Sequence, residues 1–188
     1  ASVYLENRGN GSFIVRNLPI AAQVSVIYGM IADDFDGDGN IDLAICGNDY
    51  GMEVSLGRTN AFQGLVLKGN GDNGFSTLSL AESGLYVPGN AKGLVKLSGA
   101  GNKYLVAATQ NRDRMKLFSK RKHDNVVRLE NTDRYALVLL ENGRQRKQEV
   151  YGGTAFVSQS SNFIPLNNKI TSIKIINNKG QSRIAYQK

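Results

Sequence analysis

One acidic stretch near the N-terminus decides how the chain folds: Gly29-Met30-Ile31-Ala32-Asp33-Asp34-Phe35-Asp36-Gly37-Asp38-Gly39-Asn40-Ile41-Asp42-Leu43-Ala44-Ile45. The apolar runs on both sides of the aspartates are too short for helices and are typical of strands. Glycines between the aspartates favour a sharp turn of the backbone. The stretch therefore predicts two strands joined by a connection rich in carboxylates.

The aspartates of this connection follow the spacing of a calcium-binding loop. Carboxylates occupy loop positions 1, 3, 5 and 9, glycine occupies position 6, and position 7 offers a backbone carbonyl. The predicted ligands are the side chains of Asp34, Asp36, Asp38 and Asp42 and the carbonyl of Asn40. An oxygen-rich, flexible loop suits Ca²⁺ better than Mg²⁺. Ile45 stands where an EF-hand needs a bidentate Glu, so an EF-hand is excluded. The alternative is an Asp/Gly-rich turn without metal.

Composition narrows the class of protein. The chain has 188 residues, of which 41% are hydrophobic, so it can build a core and is not disordered. No apolar run approaches the roughly 20 residues that cross a bilayer, and no membrane span is expected. One Cys and one His exclude a disulfide framework and a Cys-rich zinc site and leave no obvious His-based catalysis. Without a start methionine or signal peptide, the chain looks trimmed from a longer protein or processed.

The rest of the sequence carries β signals almost throughout. Short apolar runs alternate with Gly, Asn and Asp clusters, and no segment keeps a helical period for three turns. The predicted strands are Val3–Leu5, Phe13–Arg16, Gly29–Ala32, Leu43–Cys46, Gly64–Lys68, Gly93–Leu97, Tyr104–Ala108, Met115–Ser119, Asn125–Leu129, Tyr135–Leu140, Gln145–Tyr151, Ile170–Ile176 and Arg183–Tyr186. Turns are predicted at Glu141–Gly143 and Asn177–Gly180. The predicted fold class is all-β.

The first two-thirds of the chain contain an internal repeat. Leu5 matches Leu67 and Phe13 matches Phe75, both at an offset of 62 residues, although chance similarity of Gly/Asn-rich turns is the alternative. Each repeat would hold about four short strands, as in one propeller blade. Because a ring needs about four to eight blades, two blades form a partial ring, an open sandwich, or a dimer through exposed edges. In the second repeat, Leu97–Lys103 contains no carboxylate, so no metal is expected there.

The acidic stretch resembles an FG-GAP/VCBS repeat, a family of calcium-carrying propeller blades found in integrin-type heads and secreted bacterial proteins. The resemblance is close over residues 29–45 and loose over residues 1–122. It implies two blades in residues 1–122, the first with a Ca²⁺ loop and the second degenerate. It also implies that the four aspartates named above and the carbonyl of Asn40 bind the cation.

A second resemblance lies near the C-terminus. The segment Arg146–Ser161, followed by Ile173–Ile175, is similar to the ASPIC/UnbV region. The resemblance implies a small antiparallel β-domain over residues 124–188, placed after the blades in a larger exported bacterial protein. The implied location is extracellular or in the cell envelope (periplasm or outer surface). The basic stretch Lys120–His123 is the predicted junction between the two parts.

A basic cluster precedes this junction and is the candidate surface for a polyanionic glycan. It comprises Arg112, Arg114, Lys116, Lys120, Arg121 and Lys122, and Arg144, Arg146 and Lys147 follow further on. A solvated strand face is the alternative, and nucleic acid is disfavoured because few aromatic residues are interleaved. No nucleophile is predicted: Cys46 reads as a buried small residue, His123 as part of the basic surface, and Ser158, Ser160 and Ser161 have no paired base.

These observations predict a calcium-stabilised, non-catalytic binding or adhesion module with an unknown protein or carbohydrate ligand. Two further functions stay open at the level of the sequence. One is an accessory carbohydrate-binding part of a polysaccharide-active enzyme such as a lyase. The other is a structural cap at the end of a longer propeller.

Overall fold

The computed structural model describes residues 1–120, 125–154 and 158–188 and confirms an all-β fold built of antiparallel sheets. The strands are β1 (Val3–Asn7), β2 (Phe13–Asn17), β3 (Ile27–Asp33), β4 (Asp42–Gly47), β5 (Leu65–Gly69), β6 (Phe75–Thr77), β7 (Ala91–Ser98), β8 (Tyr104–Gln110), β9 (Lys116–Ser119), β10 (Val126–Arg128), β11 (Asp133–Leu140), β12 (Gln145–Glu149), β13 (Phe163–Pro165), β14 (Ile170–Asn177) and β15 (Ser182–Gln187). Helical structure in these ranges is limited to α1 (Leu80–Ser83) and 3-10 turns at Ile20–Ala22 and Ala100–Asn102.

The two segments that match at an offset of 62 residues form the same kind of hairpin. The β1–β2 turn is closed by a hydrogen bond from the Arg8 N–H to the Ser12 carbonyl, 3.0 Å long. The β5–β6 turn is closed in the same way by Asn70 and Gly74, also at 3.0 Å. The hairpins differ in their neighbours, because β1–β2 is a sheet of its own, whereas β5–β6 extends the sheet of β3 and β4.

The first large sheet has the order β3-β4-β5-β6 and carries the acidic stretch at one end. Its register sets Ile31 opposite Ala44 and Asp33 opposite Asp42. All six residues of β4 are buried, which explains why its sequence is apolar without alternation. One face of this sheet packs in a core formed by Leu18, Ala22, Leu43, Ile45, Phe62, Leu65 and Leu67.

The second sheet has the order β7-β8-β9 and packs against the first through β7, which contacts β3 and β4. The residues between the two sheets form a shared core that includes Ile31, Ala44, Cys46, Val66, Val87, Leu94, Tyr104, Val106 and Ala108. Burying apolar side chains of this size contributes about 1.5–3 kcal/mol each, so this contact fixes how the two sheets lie against each other.

The C-terminal unit consists of the sheet β12-β11-β14-β15 and the small sheet β10-β13. Its core contains Ala136, Val138, Leu140, Ile164, Ile170, Ile173 and Ile175, and the three residues from β11 occupy alternate positions. Neighbouring residues of β13 point to opposite sides. Ile164 packs in this core, and Phe163 packs in the core shared by the first two sheets. Strand β13 therefore joins the C-terminal unit to the rest of the molecule.

A buried ion pair reinforces this junction. The Lys96 ammonium donates to the Asp33 carboxylate at 2.7 Å and to the Phe163 carbonyl at 3.0 Å. The Tyr104 hydroxyl donates to the same Asp33 oxygen at 3.0 Å. Burial and the Asp33 charge raise the pKa of Tyr104, so it stays a neutral donor. Three side chains from β3, β7 and β8 and a backbone carbonyl of β13 thus meet at one point.

The observed strands agree with the predicted ones apart from their ends and two short additions. Strands β6 and β13, of three residues each, were not predicted. Both predicted turns are present, closed by hydrogen bonds from Leu140 to Arg144 and from Asn177 to Gln181. Residues 121–123 of the predicted junction lie outside the described residues. In the described ranges, no helix has the length and apolar character needed to span a bilayer.

Candidate metal centre

The acidic connection, residues 34–41, lies at the end of the β3–β4 hairpin, where Asp33 and Asp42 face each other in register. The connection turns through Gly37 (φ 82°) and Gly39 (φ 93°), backbone conformations that side chains other than glycine rarely adopt. The loop is not a solvent-exposed turn, because Asp34 and Asp42 are only 1% and 2% exposed. Burying two carboxylates requires partners for both.

Asp34 is the organising residue of the loop. Its carboxylate accepts hydrogen bonds from the Gly37 N–H at 2.8 Å and the Gly39 N–H at 2.9 Å. It also accepts one from the Asn167 amide at 2.7 Å, and the Arg146 guanidinium lies 3.7 Å away. These contacts fix the carboxylate in place and leave part of its acceptor capacity unused, since a carboxylate offers about four lone-pair positions.

Asp42 and Asp36 complete a group of three carboxylates. Asp42 accepts from the Phe35 N–H and from the Gly69 N–H of β5, both at 2.9 Å. Asp36 accepts from the Asp38 N–H at 3.0 Å and from the Lys68 ammonium. One oxygen from each of Asp34, Asp36 and Asp42 lies within 4.8 Å of the other two.

The structure brings together three of the four aspartates proposed as ligands from the sequence. The carboxylate of Asp38 is not part of this group; it accepts from the Asn40 N–H at 2.8 Å and lies 3.4 Å from Lys68. The side-chain oxygen of Asn40 accepts from Arg144 at 3.0 Å. Asp38 and the carbonyl of Asn40 therefore stay predictions from the sequence.

The pKa values of the loop aspartates respond to burial and to hydrogen bonding. Burial raises the pKa of Asp34 and of Asp42, against the opposing effect of their backbone hydrogen bonds. At Asp38, burial acts in the same direction, but hydrogen bonds from Asn40 and Lys68 outweigh it and lower the pKa. The two buried carboxylates are thus destabilised as anions, which a bound cation would reverse.

The donor set fits a hard divalent cation. All three clustered ligands are carboxylates, and no His or Cys side chain belongs to the group among the described residues. Oxygen-only sites suit Ca²⁺, Mg²⁺ or Mn²⁺, and an irregular loop suits Ca²⁺ best of these. Lys68 opposes a cation, because its ammonium already binds Asp36.

Several contacts of this centre carry no signal in the sequence. Lys68, Arg146 and Asn167 lie between 30 and 133 residues from the aspartates that they contact. Arg144 and Arg146 were grouped with a basic surface because of their charge. The structure places both against the acidic loop instead, where their charges are used within the molecule.

The residues weighed as nucleophiles from the sequence, Cys46 and three serines, lie in the following surroundings. Cys46 is fully buried, and burial raises the pKa of its thiol to about 12, so it is protonated at neutral pH. Ser160 exchanges hydrogen bonds with Thr154 and accepts from the Lys96 N–H, without a neighbouring base. Ser158 and Ser161 likewise have no base as a hydrogen-bond partner in the described part of the chain.

The basic cluster is divided by the structure. Arg112 and Arg114 are exposed in the β8–β9 turn, whereas Lys116 and Lys120 are partly buried with their ammonium groups 6.0 Å from the rings of Tyr86 and Tyr104. Arg121, Lys122 and His123 lie outside the described residues. A glycan surface therefore remains a prediction carried by the two exposed arginines.

In comparisons with known proteins, no family model matches the chain, and neither a curated protein nor a solved structure matches it significantly.

Proposed function

We propose that this chain is a calcium-stabilised, non-catalytic binding or adhesion module of an exported protein. In this proposal, the sheets β3-β4-β5-β6 and β7-β8-β9 are propeller-type blades, and β10–β15 form the small domain that follows them. The cation binds in the acidic loop and stabilises the end of the first blade. The ligand would be a protein or a carbohydrate.

The observation that carries the proposal is the convergence of Asp34, Asp36 and Asp42 at the closed end of a buried hairpin. Two of these carboxylates are almost fully buried, with no cationic group closer than the 3.7 Å between Arg146 and Asp34 among the described residues. A buried carboxylate is costly when its charge is only partly compensated, and a cation in the cluster would offset that cost. The role is then stability rather than chemistry.

An extracellular or cell-envelope location follows from the same proposal. Calcium sites of extracellular modules bind with dissociation constants of about 10⁻⁴–10⁻³ M, and such sites fill only where calcium is abundant. Because Lys68 competes with the cation for Asp36, we expect the loop to bind calcium as weakly as these extracellular sites do. This is why we place the module outside the cytoplasm.

Calorimetric titration with CaCl₂ and thermal unfolding with CaCl₂ or EDTA test the proposal. At calcium concentrations about 100 times the dissociation constant, the stabilisation is about 2.7 kcal/mol, or a rise of about 5–10 °C in Tm. Asp36→Asn should sharply reduce both the heat of binding and the shift in Tm. Glu53→Gln, which changes an exposed carboxylate in a distant loop, should retain both. If the unaltered protein takes up no Ca²⁺ even at about 10 mM, ten times the upper end of the dissociation constants given above, the metal assignment is wrong.

A second candidate function, an accessory carbohydrate-binding part of a polysaccharide-active enzyme, is favoured by one observation. A cleft of about 520 Å³ lies between β3 and the C-terminal unit and is lined by polar side chains such as Gln148, Glu149 and Thr154 next to the exposed ring of Tyr151. Polar groups beside aromatic rings suit a sugar, and the volume is that of a small-ligand site. Titration with neutral and acidic oligosaccharides separates this candidate from protein adhesion.

A further inference from the structure

The acidic loop is covered by the C-terminal unit, and the residues in contact are more than 100 positions apart in the chain. Among the described residues, three side-chain hydrogen bonds join them. The Asn167 amide donates to Asp34 at 2.7 Å, the Arg146 guanidinium donates to the Gly39 carbonyl at 3.2 Å, and the Arg144 guanidinium donates to the Asn40 side chain at 3.0 Å. Each contact reaches a different part of the loop, so the loop is held along its length.

The fit between the two is also steric. A Cβ atom at Gly39 would lie 3.3 Å from a methyl group of Leu140, and one at Gly37 would lie 3.5 Å from the Cβ of Asn167. The side chain of Asp34 is completely buried under this cover. The loop and the C-terminal sheet are therefore in van der Waals contact as well as hydrogen-bonded.

From these contacts we infer that the C-terminal unit completes the cation site. Asn167 is a positioning residue for Asp34, and cation binding is coupled to the docking of the C-terminal unit on the first sheet. The inference rests on the proposed function, because it concerns the same three-carboxylate site. It adds that the site belongs to two structural units and not to the β3–β4 hairpin alone.

The amide of Asn167 acts on the orientation of a ligand. Asp34 already accepts two backbone hydrogen bonds, and the third, from Asn167, fixes the remaining freedom of the carboxylate. Groups that orient a metal ligand in this way typically change metal affinity by about 10–100-fold when removed. Asn167 is uncharged, so this effect does not depend on long-range electrostatics.

Arg146 acts in the opposite direction. Its guanidinium lies 3.7 Å from Asp34 and repels a cation bound to the same carboxylate. At the same time, it holds the Gly39 carbonyl and so keeps the C-terminal sheet on the loop. Asn167 and Arg146, both of the C-terminal unit, thus affect cation affinity in opposite directions. A general loss of stability would not raise the affinity in one variant and lower it in the other.

Coupling of this kind is reciprocal. If docking of the C-terminal unit strengthens cation binding, then cation binding strengthens the docking by the same factor. Calcium should therefore rigidify residues of the C-terminal unit that do not belong to the ligand set, namely the β11–β12 turn and the connection before β14.

Calcium titration of the full chain compares Asn167→Ala with Asn168→Ala, the neighbouring exposed asparagine. We expect a dissociation constant about 10–100-fold higher for Asn167→Ala and an unchanged one for Asn168→Ala. Asn167 also accepts a hydrogen bond from the Lys169 N–H, and Asn167→Ala removes this bond as well. Urea unfolding in EDTA measures the resulting loss of stability without calcium. Equal affinities for the two variants would overturn the inference.

Arg146→Gln provides the second arm, with an affinity for calcium that is several-fold higher. A weaker affinity would contradict the opposing role of Arg146.

Hydrogen exchange with and without CaCl₂ provides the third arm: slower exchange is expected in 34–41, 140–144 and 166–170. Protection confined to 34–41 would show that the units are not coupled. If the unaltered chain binds no calcium at all, the proposed function itself is wrong. That result differs from equal affinities of the two asparagine variants and from protection confined to 34–41, which contradict only the coupling.

Discussion

The β3–β4 and β7–β8 hairpins pack side by side, yet their connections are closed by different means. Residues 34–41 form a connection of eight residues that is folded around carboxylates and covered by the C-terminal unit. Residues 99–103 form an exposed connection of five residues, closed by a backbone hydrogen bond of 2.8 Å from Gly99 to Lys103. Its turn uses left-handed conformations at Gly101 and Asn102 and contains no acidic residue.

The comparison shows what the aspartates are not needed for. A hairpin at this place in a sheet can be closed by backbone hydrogen bonds and two left-handed residues. The longer, acidic connection therefore exceeds what chain reversal requires. Its carboxylates support an additional role, which we assign to a cation and to contact with the C-terminal unit.

The largest effect is expected from removing the central carboxylate of the acidic connection. Asp34→Ala leaves two backbone N–H groups and the Asn167 amide without their acceptor and should lower the free energy of unfolding in EDTA by about 3–5 kcal/mol. Asn102→Ala, in the other connection, should cost only about 1 kcal/mol, for a left-handed backbone without glycine or asparagine. Urea unfolding measures both. Similar losses would mean that the two connections are equivalent turns.

The next effect separates the ligands within the acidic connection. Asp36→Ala should weaken calcium binding by about 30-fold or more, because a clustered carboxylate is lost. Asp38→Ala should weaken it by only a few-fold, since its carboxylate lies outside the cluster and acts through its charge alone. Isothermal titration calorimetry gives both constants. Equal losses would restore Asp38 to the ligand set expected from the sequence.

A smaller effect of opposite sign is expected at Lys68. Its ammonium binds Asp36 and lies 3.4 Å from Asp38, so Lys68→Met removes a competitor for the cation. Because Lys68 is 39% exposed and partly screened by solvent, we expect only about a fivefold gain in calcium affinity. Lys103→Met, in the carboxylate-free connection, should change nothing. A loss of affinity in Lys68→Met would show that Lys68 organises the site.

The smallest effect contrasts the loop with a buried carboxylate that has its own counter-ion. The hydrogen bonds from Arg183, both 2.6 Å long, lower the pKa of Asp133. The unfolded chain then binds a proton more readily than the folded one, so this stabilisation is complete above the unfolded pKa near 3.9 and is lost as the pH falls through the lower folded value. Arg183 is 40% exposed, so we expect only about 1 kcal/mol.

Urea unfolding of Asp133→Asn from pH 7 to pH 2 measures this contribution. The variant should be less stable than the unaltered protein at neutral pH, and the difference should shrink toward acid. A difference that is constant with pH would mean that the ion pair contributes through shape and not through charge.

The sequence predicted the features that depend on neighbouring residues. The apolar runs gave the strands, the Asn-Gly pair at Asn142 gave its turn, and the spaced aspartates gave the acidic connection. Strands β6 and β13 have three residues each and are defined by their pairing with β5 and β10, so local pattern alone does not identify them.

Contacts between residues far apart in the sequence could not be predicted from local patterns. Arg144 and Arg146 carry the same charge as the exposed Arg112, and nothing in their own segment distinguishes a residue that faces the acidic loop from one that faces solvent. Only the register of β12 on β11, with Arg146 opposite the buried Val138, turns that side chain inward. Likewise, nothing in the sequence around Asn167 distinguishes an asparagine that contacts the acidic loop from an ordinary turn asparagine.

The 133 residues between Asp34 and Asn167 also have a consequence for biosynthesis. A ribosome adds about 5–20 residues per second, so the acidic connection exists for on the order of 10 s before the residues that cover it have been made. Throughout that interval the nascent hairpin carries exposed carboxylates without their final partners. The last step in building this end of the first sheet is therefore set by translation of the final third of the chain.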